Sequence, residues 1–192
     1  FSGGLCENAA DCLTILIQPA PFANAGVDIT ICETVPVLLN GSATNYETLA
    51  WTTSGDGTFD DPTLPGATYT PGPLDIQNQV AELTLTATGD AACPEASDNM
   101  TISIMNSPVA DAGEGMTVCE NESLVLNGWA ENYTSLEWTS NGAGFFADSA
   151  ALQTTYIPLP EDFDNGSVEL CLTAYGNEYC EDFTDCIIIT LY

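Results

Sequence analysis

Glu82-Leu83-Thr84-Leu85-Thr86-Ala87-Thr88 returns 87 residues later as Glu169-Leu170-Cys171-Leu172-Thr173-Ala174-Tyr175. Both stretches alternate apolar and polar side chains with a period of two, the pattern of a strand with one buried face. Leu83, Leu85 and Ala87 point inward in the first copy, and Leu170, Leu172 and Ala174 in the second. The correspondence runs outward from these strands without a gap: residues 21–105 and 108–192 agree at 35 of 85 positions. Shared landmarks include Cys32/Cys119, Tyr46/Tyr133, Trp51/Trp138, Tyr69/Tyr156 and Cys93/Cys180. An ungapped register preserves every loop length, so one architecture is built twice in tandem.

Within one copy the pattern is short strands and turn punctuation, with no amphipathic helix period. Val27–Ile31 and Val35–Leu39 read as the first two strands, and Asn40-Gly41 as a turn. Leu49–Thr53 is a central strand that points Trp51 inward. Ala67–Thr70, Glu82–Thr88 and Asn99–Met105 complete the set. About seven strands in a domain of this size indicate a Greek-key sandwich of two sheets. The expected fold class is all-β: tandem Ig-like β-sandwiches, with repeat 1 at 20–106 and repeat 2 at 107–192. Residues 1–19 align with the end of a repeat, since Leu13–Ile17 falls on Met100–Ile104. They read either as the terminal strand of a preceding repeat, or as a strand donated to a neighbouring subunit.

The chain has 28 acidic residues and no Lys, Arg or His, a formal charge of −28. Nucleic-acid binding requires cations to displace condensed counterions, so that class is excluded. Anionic lipid surfaces repel such a chain, and no stretch approaches the length of a membrane span. Histidine bases, Schiff-base lysines and phosphate-clamping arginines are excluded by composition. Mutual repulsion keeps copies soluble and apart.

Eight cysteines form the second constraint. Repeat positions suggest pairing Cys32 with Cys93 and Cys119 with Cys180. Strand alternation turns Cys171 and Cys186 outward on adjacent antiparallel strands, which suggests a third bridge. Repeat 1 carries Thr84 and Asn99 at those positions. Cys6 and Cys12 correspond to Cys93 and Cys186, so their partners lie outside the chain, or they pair with each other. No C-x-x-C spacing supports zinc. Disulfides imply an oxidising, extracellular setting.

Ala25-Gly26 and Asp28 leading into a strand, Val37–Ser42, the Trp51 strand, Tyr69-Thr70-Pro71, Leu83–Ala87 and Ser97-Asp98 resemble the polycystic-kidney-disease (PKD)-type immunoglobulin-like repeat. The string Trp51–Phe59 and the two cysteine positions are similar to tandem repeats of large Bacteroidetes cell-surface proteins. These include gliding-motility adhesins and proteins exported by the type IX system. The resemblance covers nearly the whole chain and implies stalks and spacers without catalytic residues. Some such modules are thought to bind glycans or partners. Repeat 2 departs from it at Glu114-Gly115 and at Ser140–Gly144.

Individual sites weigh less. Asp56, Asp60 and Asp61 gather near a turn and could hold calcium through oxygen ligands, although the EF-hand spacing is missing and a solvated turn is the plainer reading. Asn40, Asn99, Asn121, Asn132 and Asn165 head N-glycosylation sequons. Asp148-Ser149-Ala150 resembles the O-glycosylation triplet of Bacteroidetes, which marks Ser149. Trp51 and Trp138 read as core pillars, whereas Trp129 has no counterpart and is a candidate contact surface. The expected role is the non-catalytic shaft of an extracellular adhesin or filament. Its partners would be neighbouring repeats or subunits, with surface glycans a further candidate. The alternatives are a carbohydrate-binding module of a secreted hydrolase, or a donor-strand fibre subunit.

Overall fold

A computed structural model describes residues 11–15, 17–33, 35–90, 93–120, 122 and 124–192. The first repeat is built from β1 (Phe22–Asn24), β2 (Ile29–Cys32), β3 (Val37–Leu38), β4 (Ser42–Thr44), β5 (Thr48–Thr53), β6 (Thr58–Phe59), β7 (Thr68–Thr70), helix α1 (Pro73–Asn78), β8 (Val80–Thr88) and β9 (Glu95–Met105). The second follows the same plan: β10 (Val109–Asp111), β11 (Thr117–Val118), β12 (Leu124–Asn127), β13 (Trp129–Glu131), β14 (Ser135–Ser140), β15 (Phe145–Phe146), β16 (Gln153–Ile157), helix α2 (Pro160–Asn165), β17 (Ser167–Tyr175) and β18 (Phe183–Leu191).

One face of repeat 1 is the sheet β2-β9-β8-β5, in which β2 runs parallel to β9 and the other neighbours are antiparallel. The opposing face consists of β3-β7-β6 and the pair β1-β4. Repeat 2 reproduces both faces as β11-β18-β17-β14 and as β12-β16-β15 with β10-β13. The chain is therefore a tandem pair of β-sandwiches, each with its own apolar cluster.

The period-two reading explains the faces. Leu83, Leu85 and Ala87 are fully buried, as are Leu170, Leu172 and Ala174. Trp51 and Trp138 are only 3% and 2% exposed, so they are core residues rather than sugar platforms. Each indole N–H donates to a backbone carbonyl, Leu64 or Ala151, at 3.1 Å. Trp51, Phe59 and Tyr69 form an aromatic ladder with centroid spacings of 6.2 and 5.0 Å. Trp138, Phe146 and Tyr156 repeat it at 6.1 and 5.0 Å.

The recurring Asn-Gly dipeptide has a different origin from the expected turn. A Cβ on Gly41 would lie 2.7 Å from the Trp51 ring, and one on Gly128 2.8 Å from the Trp138 ring. Glycine is there because the tryptophan presses against the backbone between two strand segments. Leu39 and Gly41 still donate to the carbonyls of Ala67 and Pro65 across that interruption.

The short helices were not anticipated, because six residues are too few to show a helical period. Their local cue is Pro-x-Asp, with proline in the first turn and the aspartate at the third position. That aspartate is the latch of each sandwich. Asp75 and Asp162 are each 1% exposed. Tyr69 donates its hydroxyl to Asp75 at 2.6 Å, and the Gly72 N–H donates to the same oxygen at 3.0 Å. Asp162 accepts from the Tyr156 hydroxyl and from the N–H groups of Ala143, Gly144 and Leu159, at 2.6 to 3.1 Å. Burial raises the Asp162 pKa, but these donors outweigh it and hold the carboxyl below its usual range.

Stability supplied by Asp162 is thus present above the unfolded carboxylate pKa near 4 and is lost as pH falls through the lower folded value. Asp162→Asn sets an amide NH2 against backbone donors. It should cost repeat 2 about 1–3 kcal/mol at neutral pH and blunt the loss of stability on acidification. An unchanged melt of the variant at neutral pH would refute the latch.

Candidate functional site at the junction between repeats

The positions of the cysteines follow from strand register. In the parallel ladder Cys32 lies opposite Met105, the last residue of β9. Cys93 lies in the β8–β9 hairpin, just before Glu95 at the other end of the same strand. Eleven residues of strand span about 35 Å, whereas a disulfide needs Cα atoms within about 7 Å. The expected Cys32–Cys93 bridge is therefore replaced. The equivalent separation along β18 likewise rules out Cys119–Cys180, because Cys119 follows the Val118–Leu191 pair and Cys180 precedes Phe183.

Cys32 is instead bonded to Cys180, across the two repeats and 148 residues away. The hairpin of repeat 2 carries Cys180 back to the end of repeat 1 from which the linker emerges. The Cys180 sulfur lies 3.6 Å from the carbonyls of both Met105 and Asn106, and the Cys32 sulfur 3.3 Å from the Ser107 hydroxyl. Glu33 accepts from the Ser107 N–H at 3.1 Å, and the Asn132 side chain donates to the Ser107 carbonyl at 3.2 Å. The linker is thus held by a covalent clamp and by hydrogen bonds from both repeats. A cleft beside the clamp is lined by Val35, Pro108, Tyr179, Glu181, Asp182 and Phe183.

Cys171 and Cys186 face each other in the β17–β18 register and are bonded. Thr84 and Asn99 hold the same register in repeat 1 without a covalent link. Cys12, Cys93 and Cys119 are free thiols, and Cys6 lies outside the described residues.

The acidic loop of repeat 1 is occupied by internal bonding. Asp56 accepts from the Leu74 N–H at 3.0 Å, which docks α1. Asp60 accepts from Asp61 and Thr68, and Asp61 from Thr63, and these bonds lower the pKa of both carboxyls. Among the described residues no group of three or more His, Cys, Asp or Glu side chains is placed to hold a metal ion. Asn40, Asn99, Asn132 and Asn165 are exposed, Ser149 is half-buried, and Asn121 lies outside the described residues. Asn99 donates to Glu82 at 2.8 Å. Trp129 is 50% exposed on β13. Leu13, Ile15 and Ile17 face solvent, and the described residues of 11–19 pair with neither sandwich. No helix among the described residues is long and apolar enough to cross a membrane.

No protein-family model matches the chain, and no curated protein matches it. Solved structures do. Drosophila N-cadherin EC1-4 is 19% identical over 91% of this chain and 50% of that one, with a TM-score of 0.46. Mouse cadherin-23 EC22-24 is 11% identical over 90% of this chain and 67% of that one, with a TM-score of 0.48. The titin I-band fragment I67-I69 is 10% identical over 91% and 66%, also with a TM-score of 0.48. The chain spans about half the length of the N-cadherin fragment.

Digestion at Asp and Glu without reduction should yield Cys32 joined to Cys180 and Cys171 joined to Cys186. Recovery of a Cys32–Cys93 peptide would overturn the register argument. Cys171→Ser should destabilise repeat 2 by about 3 kcal/mol, the loop-entropy value for a bridge of this span. That corresponds to a fall of roughly 10 °C or more in its melting midpoint.

Proposed function

We propose that this chain is a non-catalytic structural segment of an extracellular rod, the shaft of a cell-surface adhesin or filament of the Bacteroidetes type. Residues 20–106 and 107–192 act as its two beads. The observation that carries this reading is the Cys32–Cys180 bond. A disulfide between two beads leaves each core as it was and fixes how one follows the other, which serves a device that works by length and direction. The bond also favours an oxidising compartment. A charge of −28 without a cation holds neighbouring shafts apart, and more strongly at low salt. The partners are adjoining repeats, with glycans attached at exposed sequons such as Asn99 and Asn165. A second reading, carbohydrate binding, is favoured by one observation: Trp129 is half-exposed on a strand and has no counterpart in repeat 1.

Small-angle scattering on the oxidised chain and on Cys32→Ser tests the first reading. The oxidised chain should scatter as a body with one inter-repeat arrangement, and the variant as a broader ensemble. Identical curves would remove the mechanical role of the clamp. Oligosaccharide binding that disappears in Trp129→Ala would instead select the second reading.

A further inference from the structure

The two repeats share two cysteine positions and use them unequally. Cys32 and Cys180 are joined, while their counterparts 87 residues away, Cys119 and Cys93, remain thiols. We propose that Cys119 and Cys93 are the two open halves of the same clamp, each built to receive a cysteine from a further repeat of this design standing in line. Cys119 takes the hairpin cysteine of a repeat that follows, in the role of Cys180. Cys93 takes the strand-end cysteine of a repeat that precedes, in the role of Cys32. The inference rests on the shaft reading and specifies how successive beads are locked.

The hairpin half is already assembled around Cys93. Its N–H donates to the Asp90 side chain at 3.1 Å, as the Cys180 N–H donates to Asn177 at 3.1 Å. A Cβ on Gly89 would lie 2.1 Å from the Cys93 carbonyl oxygen, and one on Gly176 2.0 Å from that of Cys180, so the glycine and the cysteine approach each other alike in both repeats. The Cys93 sulfur rests 3.8 Å from the Gln18 carbonyl, and Gln18 is the counterpart of Met105, over which Cys180 lies at 3.6 Å. Asn45 donates to the Ala20 carbonyl at 3.1 Å, as Asn132 does to that of Ser107 at 3.2 Å. The segment leading into repeat 1 therefore follows the path of the linker leading into repeat 2, with Cys93 over it in the same place. What a preceding repeat would add is the second sulfur.

The strand-end half is equally complete. Thr117 and Val118 pair in parallel with Thr190 and Leu191, as Thr30 and Ile31 pair with Ser103 and Ile104. The Glu120 N–H donates to the Tyr192 carbonyl at 2.8 Å, as Glu33 does to Met105 at 2.9 Å. Cys119 thus occupies the end of its sandwich that Cys32 occupies in repeat 1. It is exposed, whereas Cys32, with repeat 2 bonded to it, is 5% exposed. Cys93 and Cys119 cannot satisfy each other within one chain, because one stands where the chain enters repeat 1 and the other where it leaves repeat 2.

The linker-shaped path of Gln18–Ala20 favours a repeat joined in line over a second, separate copy as the occupant. The contacts flanking the clamp do not recur: Val35 and Tyr179 correspond to Glu122 and Ala92. The cysteine pair itself is the shared element. Closure proceeds by exchange with a small-molecule disulfide such as oxidised glutathione. One protein thiolate attacks it and releases a small thiol; the incoming cysteine thiolate then attacks the protein sulfur of the mixed disulfide and releases the second. Two electrons and two protons pass from the protein thiols to the small disulfide.

The test extends the full chain beyond Tyr192 with a further copy of residues 106–192, oxidised in a glutathione buffer and mapped without reduction. Cys119 should be linked to the added counterpart of Cys180, and Cys119→Ser should return that cysteine to alkylation. The mirror chain, with residues 20–106 duplicated ahead of repeat 1, should link the added Cys32 to Cys93. The added Cys171–Cys186 pair reports folding of the appended repeat. An alkylatable Cys119 beside an intact Cys32–Cys180 bond overturns the inference and leaves the shaft reading standing. Absence of the Cys32–Cys180 bond itself would overturn both. A Cys93–Cys119 link found only between separate molecules overturns the in-line arrangement.

Discussion

The parallel pairing of the second strand with the last strand of each sandwich is the constraint from which the cysteine chemistry follows. It sends the short β2 toward the end of the bead where the chain leaves, and so puts Cys32 beside the linker. The long hairpin β8–β9 turns at the opposite end and carries Cys93 there. A cysteine at each pole of a bead serves neighbours and cannot serve the bead itself. The disulfide between repeats is thus a result of topology, with the hairpin of one sandwich reaching the strand end of the one before.

Inside each bead the organising element is a carboxylate. Asp75 and Asp162 each take a tyrosine hydroxyl from the strand before a one-turn helix; Asp162 also takes two N–H groups from the loop across, a tie that Asp56 makes in repeat 1 by accepting from the Leu74 N–H. Burial, with the Asp75 carboxylate beside it, pushes the Tyr69 hydroxyl well above its usual range, so it stays a donor. A chain without cations has no ion-pair partner for an interior acid. Amide groups and tyrosines do that work here: both oxygens of Asp162 are satisfied, whereas Asp75 has its donors on one oxygen and leaves the other buried without a partner.

Much of the fold was legible because alternation and repetition reinforce each other. Leu83, Leu85 and Ala87, with the identical pattern at Leu170, set the faces of the central strands, and the tryptophans marked the core. Short-range geometry was less visible. Phe22–Asn24 and Ser42–Thr44 form a two-strand edge that their mixed composition does not announce. The six-residue helices show no period, and Gly41 reads as a turn although it makes room for an indole. The long cysteine pairings were misread because equal spacing in two repeats resembles closure within each. Spacing alone does not say that strand 2 joins the sheet in parallel. The one cue available was that Cys6, Cys93 and Cys180 recur at a constant interval, which also suits a link from each unit to the next.

The clamp changes how a pulling force would travel through the molecule. Tension applied at the two termini passes along residues 1–32, crosses the sulfur bridge and continues along residues 180–192. The intervening 148 steps of polypeptide, about 500 Å when drawn straight, form a closed loop that bears no load while the bridge holds. Most of both sandwiches is thereby a reserve of hidden length, opened to stretching only when a reductant cuts one covalent bond. In such a tether the redox state of this cystine sets most of the reach, and the Cys171–Cys186 bridge withholds the 15-residue step that it spans.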